Sequence, residues 1–170
     1  RSREVRKIFP VMIEVARRLL QLDPALRFQV AAASEELARE LSEMLRAEQL
    51  TNCESIEIAV GQTAAIMQRA FVGIVASGSA TLEAAYFGMP FVLIYKVAWP
   101  TYVAARLVVN VDFLGMPNLL AGKEVVPEFI QHEAKPDDIV KAVRLLMDDS
   151  SARDRMISDF VATTSKLGGT

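Results

Sequence analysis

The sequence predicts an α/β fold, a Rossmann-like parallel sheet with helices on both faces. Two observations carry this. The strand candidates at 26–32, 71–76 and 91–95 read as apolar runs, the mark of strands buried on both sides. Segments with helical spacing lie between them, in the order of βαβ units. The length of 170 residues fits a single domain over 1–170 with its own core. The composition, 52% apolar and 24% charged, is that of a globular protein.

The elements follow in order. Arg1-Ser2-Arg3-Glu4-Val5 reads as the start of a helix with no strand before it, so a truncated N-terminus is expected. Val5, Ile8, Phe9, Met12, Ala16, Leu19 and Leu20 recur at helical spacing. Pro10 either kinks that helix or opens its second part. Asp23-Pro24 breaks the chain before the strand at 26–32. Ser34 is placed to cap the next helix, with Glu35 and Glu36 at the positive end of its dipole. That helix fades near Leu50. Ile56, Ile58 and Val60 form a strand that Gly61 ends, and 63–70 is a short helix. After the strand at 71–76, Ser77-Gly78-Ser79 turns the chain into a helix reaching Phe87. Gly88-Met89-Pro90 stops it, and 91–95 is the next strand. Residues 100–109 look helical and 110–123 loop-like, with Gly115, Pro117, Asn118 and Gly122. Pro136 opens a helix to Met147 with Asp137 and Asp138 in its first turn, and a last helix runs from Ser150 to about Lys166.

Several function classes are disfavoured. A formal net charge of −2 gives no basic field to recruit nucleic acid. The single cysteine, Cys53, allows no internal disulfide or cysteine metal cluster and fits a reducing compartment. No apolar run reaches the roughly 18 residues of a membrane span. His132, the one histidine, lacks a carboxylate at motif spacing and reads as a surface or packing residue. Lys96, Trp99, Tyr102 and Arg106 combine cations with aromatics; they suit helix packing or contact with a bilayer surface.

The chemistry concentrates in Ala76-Ser77-Gly78-Ser79-Ala80-Thr81-Leu82-Glu83. A strand ends, small residues turn, and a helix begins. Free N–H groups and the helix dipole then converge on one point, which suits a phosphate. Gly78 allows close approach of an anion, and Ser77 and Ser79 offer hydroxyls. Glu83 lies four residues after Ser79 on the same helix face, placed to accept ribose hydroxyls. The alternative is that Ser79 simply caps the helix and Glu83 decorates it. The pattern is not a Walker loop, a Gly-x-Gly-x-x-Gly fingerprint or a hydrolase elbow. A second stretch, Met116 to Glu128, is long and irregular; Asn118 offers a donor and an acceptor and Lys123 a positive charge. Such loops are commonly functional, and a solvated connection is the alternative.

These blocks, with Gly88-Met89-Pro90, Tyr95-Lys96-Val97 and Pro117-Asn118-Leu119-Leu120-Ala121-Gly122-Lys123-Glu124-Val125-Val126-Pro127-Glu128, resemble the C-terminal half of the lipid-A-disaccharide synthase family. Order and spacing match along most of the chain. The Pro-Asn-Leu-Leu-Ala-Gly block is specific to that family, whereas Ser-Gly-Ser…Glu alone signals only a nucleotide-sugar glycosyltransferase. Arg1 falls at the arginine of the family's Gly-Ser-Arg-x-x-Glu-Val turn, with the Gly-Ser absent.

The resemblance implies the C-terminal, UDP-holding lobe of a two-lobed GT-B glycosyltransferase. Its donor is a UDP-diacylglucosamine and its acceptor an acylated glucosamine 1-phosphate, joined β-1,6 with release of UDP. By the same resemblance Ser77, Gly78, Ser79 and Ala80 face the diphosphate and Glu83 the ribose. Arg1 meets the phosphates, and Asn118 the diphosphate or sugar. Val60 and Gly61, with Gln62, meet the uracil edge. No metal or cofactor is implied, and the catalytic base belongs to the other lobe. A cytoplasmic protein, peripheral on the inner face of the bacterial inner membrane and capable of homo-oligomer formation, is implied as well. The rival expectations are another UDP-sugar enzyme of this architecture, such as a muramyl-lipid glycosyltransferase or a UDP-sugar epimerase, and a non-catalytic α/β binding module.

Overall fold

The computed structural model describes residues 2–49, 55–96 and 113–165. It is an α/β structure of parallel ladders flanked by helices. Helix α1 (Ser2–Leu22) runs unbroken through Pro10, so the sequence's two-part alternative does not apply. Pro10 offers no N–H to the turn before it, and tertiary packing keeps the helix whole. Ile8, Val15 and Leu19 enter one apolar core, and Phe9 and Ile13 enter a second.

Strand β1 (Phe28–Ala32) leads to α2 (Glu35–Ala47) and β2 (Ile56–Val60). Ser34 caps α2 as the sequence predicts, its hydroxyl accepting from the Leu37 N–H at 3.2 Å. The chain continues through α3 (Thr63–Arg69), β3 (Gly73–Ala76), α4 (Ser79–Tyr86) and β4 (Phe91–Tyr95). Helix α5 (Met116–Ala121) follows where the sequence suggests only a loop. Pro117 sits in its first turn, and Gly122 ends it with φ +68. Strand β5 (Glu128–Ile130) and a 3₁₀ turn (Gln131–Glu133) were not foreseen. Helices α6 (Pro136–Asp148) and α7 (Ser150–Thr164) close the described chain. Asp149 caps α7, accepting from Ser151 and Ala152 N–H at 2.8 and 3.2 Å. The helix expected at 100–109 lies outside the described residues.

The single sheet expected from the sequence appears as two parallel ladders, β1–β2 and β3–β4–β5. Phe28 pairs with Ile56 and Ala32 with Val60; Gly73 pairs with Phe91, and Leu93 with Glu128. Hydrogen-bond direction alternates along a parallel strand. The Phe28 N–H bonds Ser55 O, and Ala32 O accepts from Gly61 N–H. Gln29 and Ala31 therefore turn their backbone groups away from β2. Gly73 N–H bonds Pro90 O, and Ser77 N–H bonds Ile94 O. Ile74 and Ala76 thus turn theirs away from β4. No strand among the described residues pairs with either edge.

The ladders also differ in cover. Phe91, Val92, Leu93 and Ile94 of β4 are fully buried, and the Phe91 ring stacks on Phe160 with centroids 5.6 Å apart. β1 and β2 alternate instead, burying Ala32 and Ala59 and exposing Gln29 and Glu57. The expectation of strands covered on both faces holds for β4 and is corrected for β1 and β2. Phe71, read as the start of a strand, is exposed under the Arg153 guanidinium, 4.5 Å from the ring centroid.

Candidate functional site

The strand–turn–helix at 76–83 is built as the sequence suggests, with one change in who does what. Ser77 gives its N–H to Ile94 O at 3.0 Å, so that N–H belongs to the sheet rather than to a ligand. Gly78 has φ +142 and ψ −166, a conformation essentially confined to glycine. It occupies the cap position of α4 without any side-chain cap, and Ser79 is the first helical residue. The alternative in which Ser79 caps the helix is therefore set aside.

Thr81, which the sequence reading passed over, fixes this turn. Its buried hydroxyl donates to Gly78 O at 2.7 Å, and its N–H meets the same oxygen at 3.1 Å. With that carbonyl tied back, the N–H groups of Gly78, Ser79 and Ala80 have no backbone acceptor among the described residues. They stand at the positive end of α4, which suits an anion. Ser79 and Glu83 are exposed four residues apart, on one face. The Glu83 carboxylate has no hydrogen bond or ion pair among the described residues. An anion-binding turn followed by a free carboxylate suits a phosphorylated sugar alcohol, such as the ribose diphosphate of a nucleotide.

Val60 and Gly61 lie at the end of β2 in the other ladder. Gly61, at φ +68, gives its N–H to Ala32 O, and Gln62 O accepts from Ile66 N–H. The Gly61 carbonyl and the Gln62 N–H keep no backbone partner among the described residues. Helix α3, which follows, packs on α4. Arg1 and Cys53 lie outside the described residues, as do Trp99, Tyr102 and Arg106. His132 is exposed, as expected of a surface residue. Lys123, read from the sequence as offering a positive charge, is ion-paired with Asp159 at 2.7 Å.

Asn118 is the residue whose surroundings differ most from expectation. It is 1% exposed. Its Nδ2 donates to Val126 O and to Glu128 Oε1, both at 2.8 Å. Its Oδ1 accepts from the N–H groups of Val125 and Val126 at 2.7 and 2.8 Å. A side-chain amide has two hydrogens and two lone pairs, and here all four are engaged within the protein. A direct bond from Asn118 to a diphosphate or sugar would have to break one of them. Helix α5, which carries Asn118, packs against α4 and α7.

The model of the family described as lipid-A-disaccharide synthetase matches residues 1–166. The chain belongs to that family. A lipid-A-disaccharide synthase from Anaeromyxobacter dehalogenans is 30% identical over 168 residues, covering 99% of this chain and 43% of the relative. One from Geobacter sulfurreducens is 32% identical over the same shares. One from Neisseria gonorrhoeae is 36% identical over 143 residues, 84% of this chain and 36% of the relative. The chain thus spans about two-fifths of the length of these lipid-A-disaccharide synthases. Within the family's matched span lie both the 76–83 turn and the Asn118 segment. No helix among the described residues is long and apolar enough to cross a membrane.

Proposed function

We propose that this chain is the UDP-donor-holding part of a glycosyltransferase. The complete enzyme transfers diacylated glucosamine from its UDP donor to diacylated glucosamine 1-phosphate, forming the β-1,6 disaccharide and UDP. The observation that carries the reading is the turn at Gly78, where three N–H groups at the start of α4 without a backbone acceptor precede a Glu83 carboxylate without a partner, both among the described residues. The diphosphate sits on the N–H groups of Gly78, Ser79 and Ala80, with the Ser77 and Ser79 hydroxyls beside it. Glu83 accepts from the ribose, and the backbone at Val60-Gly61-Gln62 receives uracil. Arg1 adds charge to the phosphates. As UDP leaves, these donors stabilise its developing charge. The base and the acceptor site belong to the part of the enzyme outside this chain, which acts peripherally at the inner membrane.

The test is calorimetric titration of UDP. Wild type binds, and Glu83→Ala weakens binding by roughly ten- to a hundredfold, the cost of losing hydrogen bonds to a charged group. Glu133→Ala, on the exposed 3₁₀ turn, leaves affinity unchanged. Equal affinities for the two variants would remove the ribose role.

A further inference from the structure

We infer that Glu128 and Asn118 form a latch that holds α5 against α4, so that Glu128 governs nucleotide affinity without touching the nucleotide. The effect on affinity rests on the UDP reading above; the latch itself is read from the geometry. Glu128 opens β5, in register with Leu93. Its Oε2 accepts from Leu114 N–H at 2.9 Å, and its Oε1 accepts from Gly115 N–H and Asn118 Nδ2, both at 2.8 Å. One carboxylate therefore ties residues 114 and 115 and the first turn of α5 to the edge of the β3–β4–β5 ladder. Asn118 completes the closure by holding the backbone of Val125 and Val126, just before β5.

Gly115 shows how tight the arrangement is. A Cβ there would lie 2.7 Å from Leu93 Cδ1 and 2.8 Å from Glu128 Oε1. The glycine is needed because the carboxylate passes where a side chain would stand. Helix α5, fixed in this way, packs directly on α4, whose first turn is the anion cradle. The latch thus reaches the nucleotide through one helix–helix contact. Glutamine cannot replace Glu128 well. One end of its amide becomes a donor that faces the N–H groups of Leu114, Gly115 or Asn118, and the other end still accepts. Asn118→Asp fails in the opposite sense, setting a second carboxylate against Glu128 and the Val126 carbonyl. Combined, the two changes restore one donor–acceptor pair between positions 118 and 128.

The experiment uses the full-length enzyme. It measures UDP affinity by calorimetry, thermal melting, and amide exchange at Gly115 and Val126. Glu128→Gln and Asn118→Asp should each weaken UDP binding about tenfold and expose both amides to exchange. The double variant should weaken it by less than the product of the two single effects. Val143→Ala, in the core face of α6, serves as a control that lowers the melting temperature but leaves UDP affinity within about twofold. If Val143→Ala weakens UDP as much as Glu128→Gln at equal loss of stability, the effect is general and the latch is overturned. Wild-type UDP affinity in Glu128→Gln overturns it too, provided Glu83→Ala weakens binding in the same titrations. If Glu83→Ala is also without effect, the nucleotide reading has failed instead. Exchange at Gly115 and Val126 then decides the latch alone, and wild-type protection in Glu128→Gln overturns it.

Discussion

The two ladders use the same strand pairing and reach opposite states of cover. β4 lies between β3 and β5 and is fully buried from Phe91 to Ile94. β1 and β2 bury one alanine each and turn a polar row outward, where Gln29 Nε2 donates to Glu57 at 2.8 Å and Arg69 donates to Gln29 at 3.0 Å. Register does not set this difference, since both ladders are parallel and regular. Cover sets it: β4 lies between β3 and β5 in a core shared with α1, α4, α6 and α7, whereas β1–β2 shares the smaller core with α1 and α2 and is otherwise touched by α3. The Gly78 turn stands on the better-packed ladder, so it is anchored in the part of the described structure least able to yield.

The sharpest way to break this contrast is to truncate one phenylalanine in each ladder. Phe91→Ala removes a fully buried ring stacked on Phe160 and should cost about 3–5 kcal/mol. Phe28→Ala removes a half-buried ring from β1 and should cost about half that or less. Chemical denaturation of both gives the answer, and equal losses would mean that the ladders are packed alike. Next in size is Asn118→Ala, which strands two buried N–H groups and a carbonyl. A loss of about 2–5 kcal/mol is expected from the desolvation cost of unpaired groups, read as a lower denaturation midpoint at unchanged slope. Thr81→Val keeps the shape but removes the hydroxyl bond to Gly78 O; about 1 kcal/mol should be lost, with weaker UDP binding beside it.

The smallest effect belongs to the surface that joins the two regions. Glu14 of α1 is held below its ordinary value of 4.5, first by the hydrogen bond from Arg18 and then by that from Arg17, against the opposing effect of burial. Arg17 continues to Glu48 beyond α2, and Arg18 to Asp137 on α6. A lowered carboxylate value stabilises the fold above about pH 4.5 and stops doing so as pH falls through the folded value. Melts from pH 6 to pH 3 should show a steeper acid loss in wild type than in Glu14→Gln. Parallel curves would mean that this bridge contributes nothing.

Much of this was legible because single residues carry local signals. Ser34, Asp137 and Asp138 mark helix starts, Gly88-Met89-Pro90 marks a stop, and the run at 91–95 marks the buried strand. The Gly78 turn was legible for the same reason. What stayed hidden depends on partners far away in sequence. β5 has three residues and follows a proline, too little for a periodic pattern, and its strand character comes from pairing with β4. α5 has a proline and two flanking glycines, which read as loop until Glu128, from 13 residues away, ties down its N-terminal end. The internal bonds of Asn118 stayed hidden because an amide's chemistry tells what it can bond, and only packing tells whether those bonds are already made. The outer face of β1–β2 is carried by single polar residues, Gln29 and Glu57, inside otherwise apolar strands, which is too weak a pattern to show which face is uncovered.

Helix α1 has a consequence in time as well as in space. Its inner face packs on α6 and shares a core with β4, and the Arg18–Asp137 tie spans 119 positions. From Leu22 to Asp148 the ribosome must add 148 − 22 = 126 residues. At about 5–20 residues per second that takes roughly 6–25 s. During that interval Ile8, Val15 and Leu19 wait without their final neighbours, far longer than the microseconds in which a helix forms. The apolar face of α1 therefore stays without its final cover until α6 has been made, and the packing that completes it is timed by synthesis.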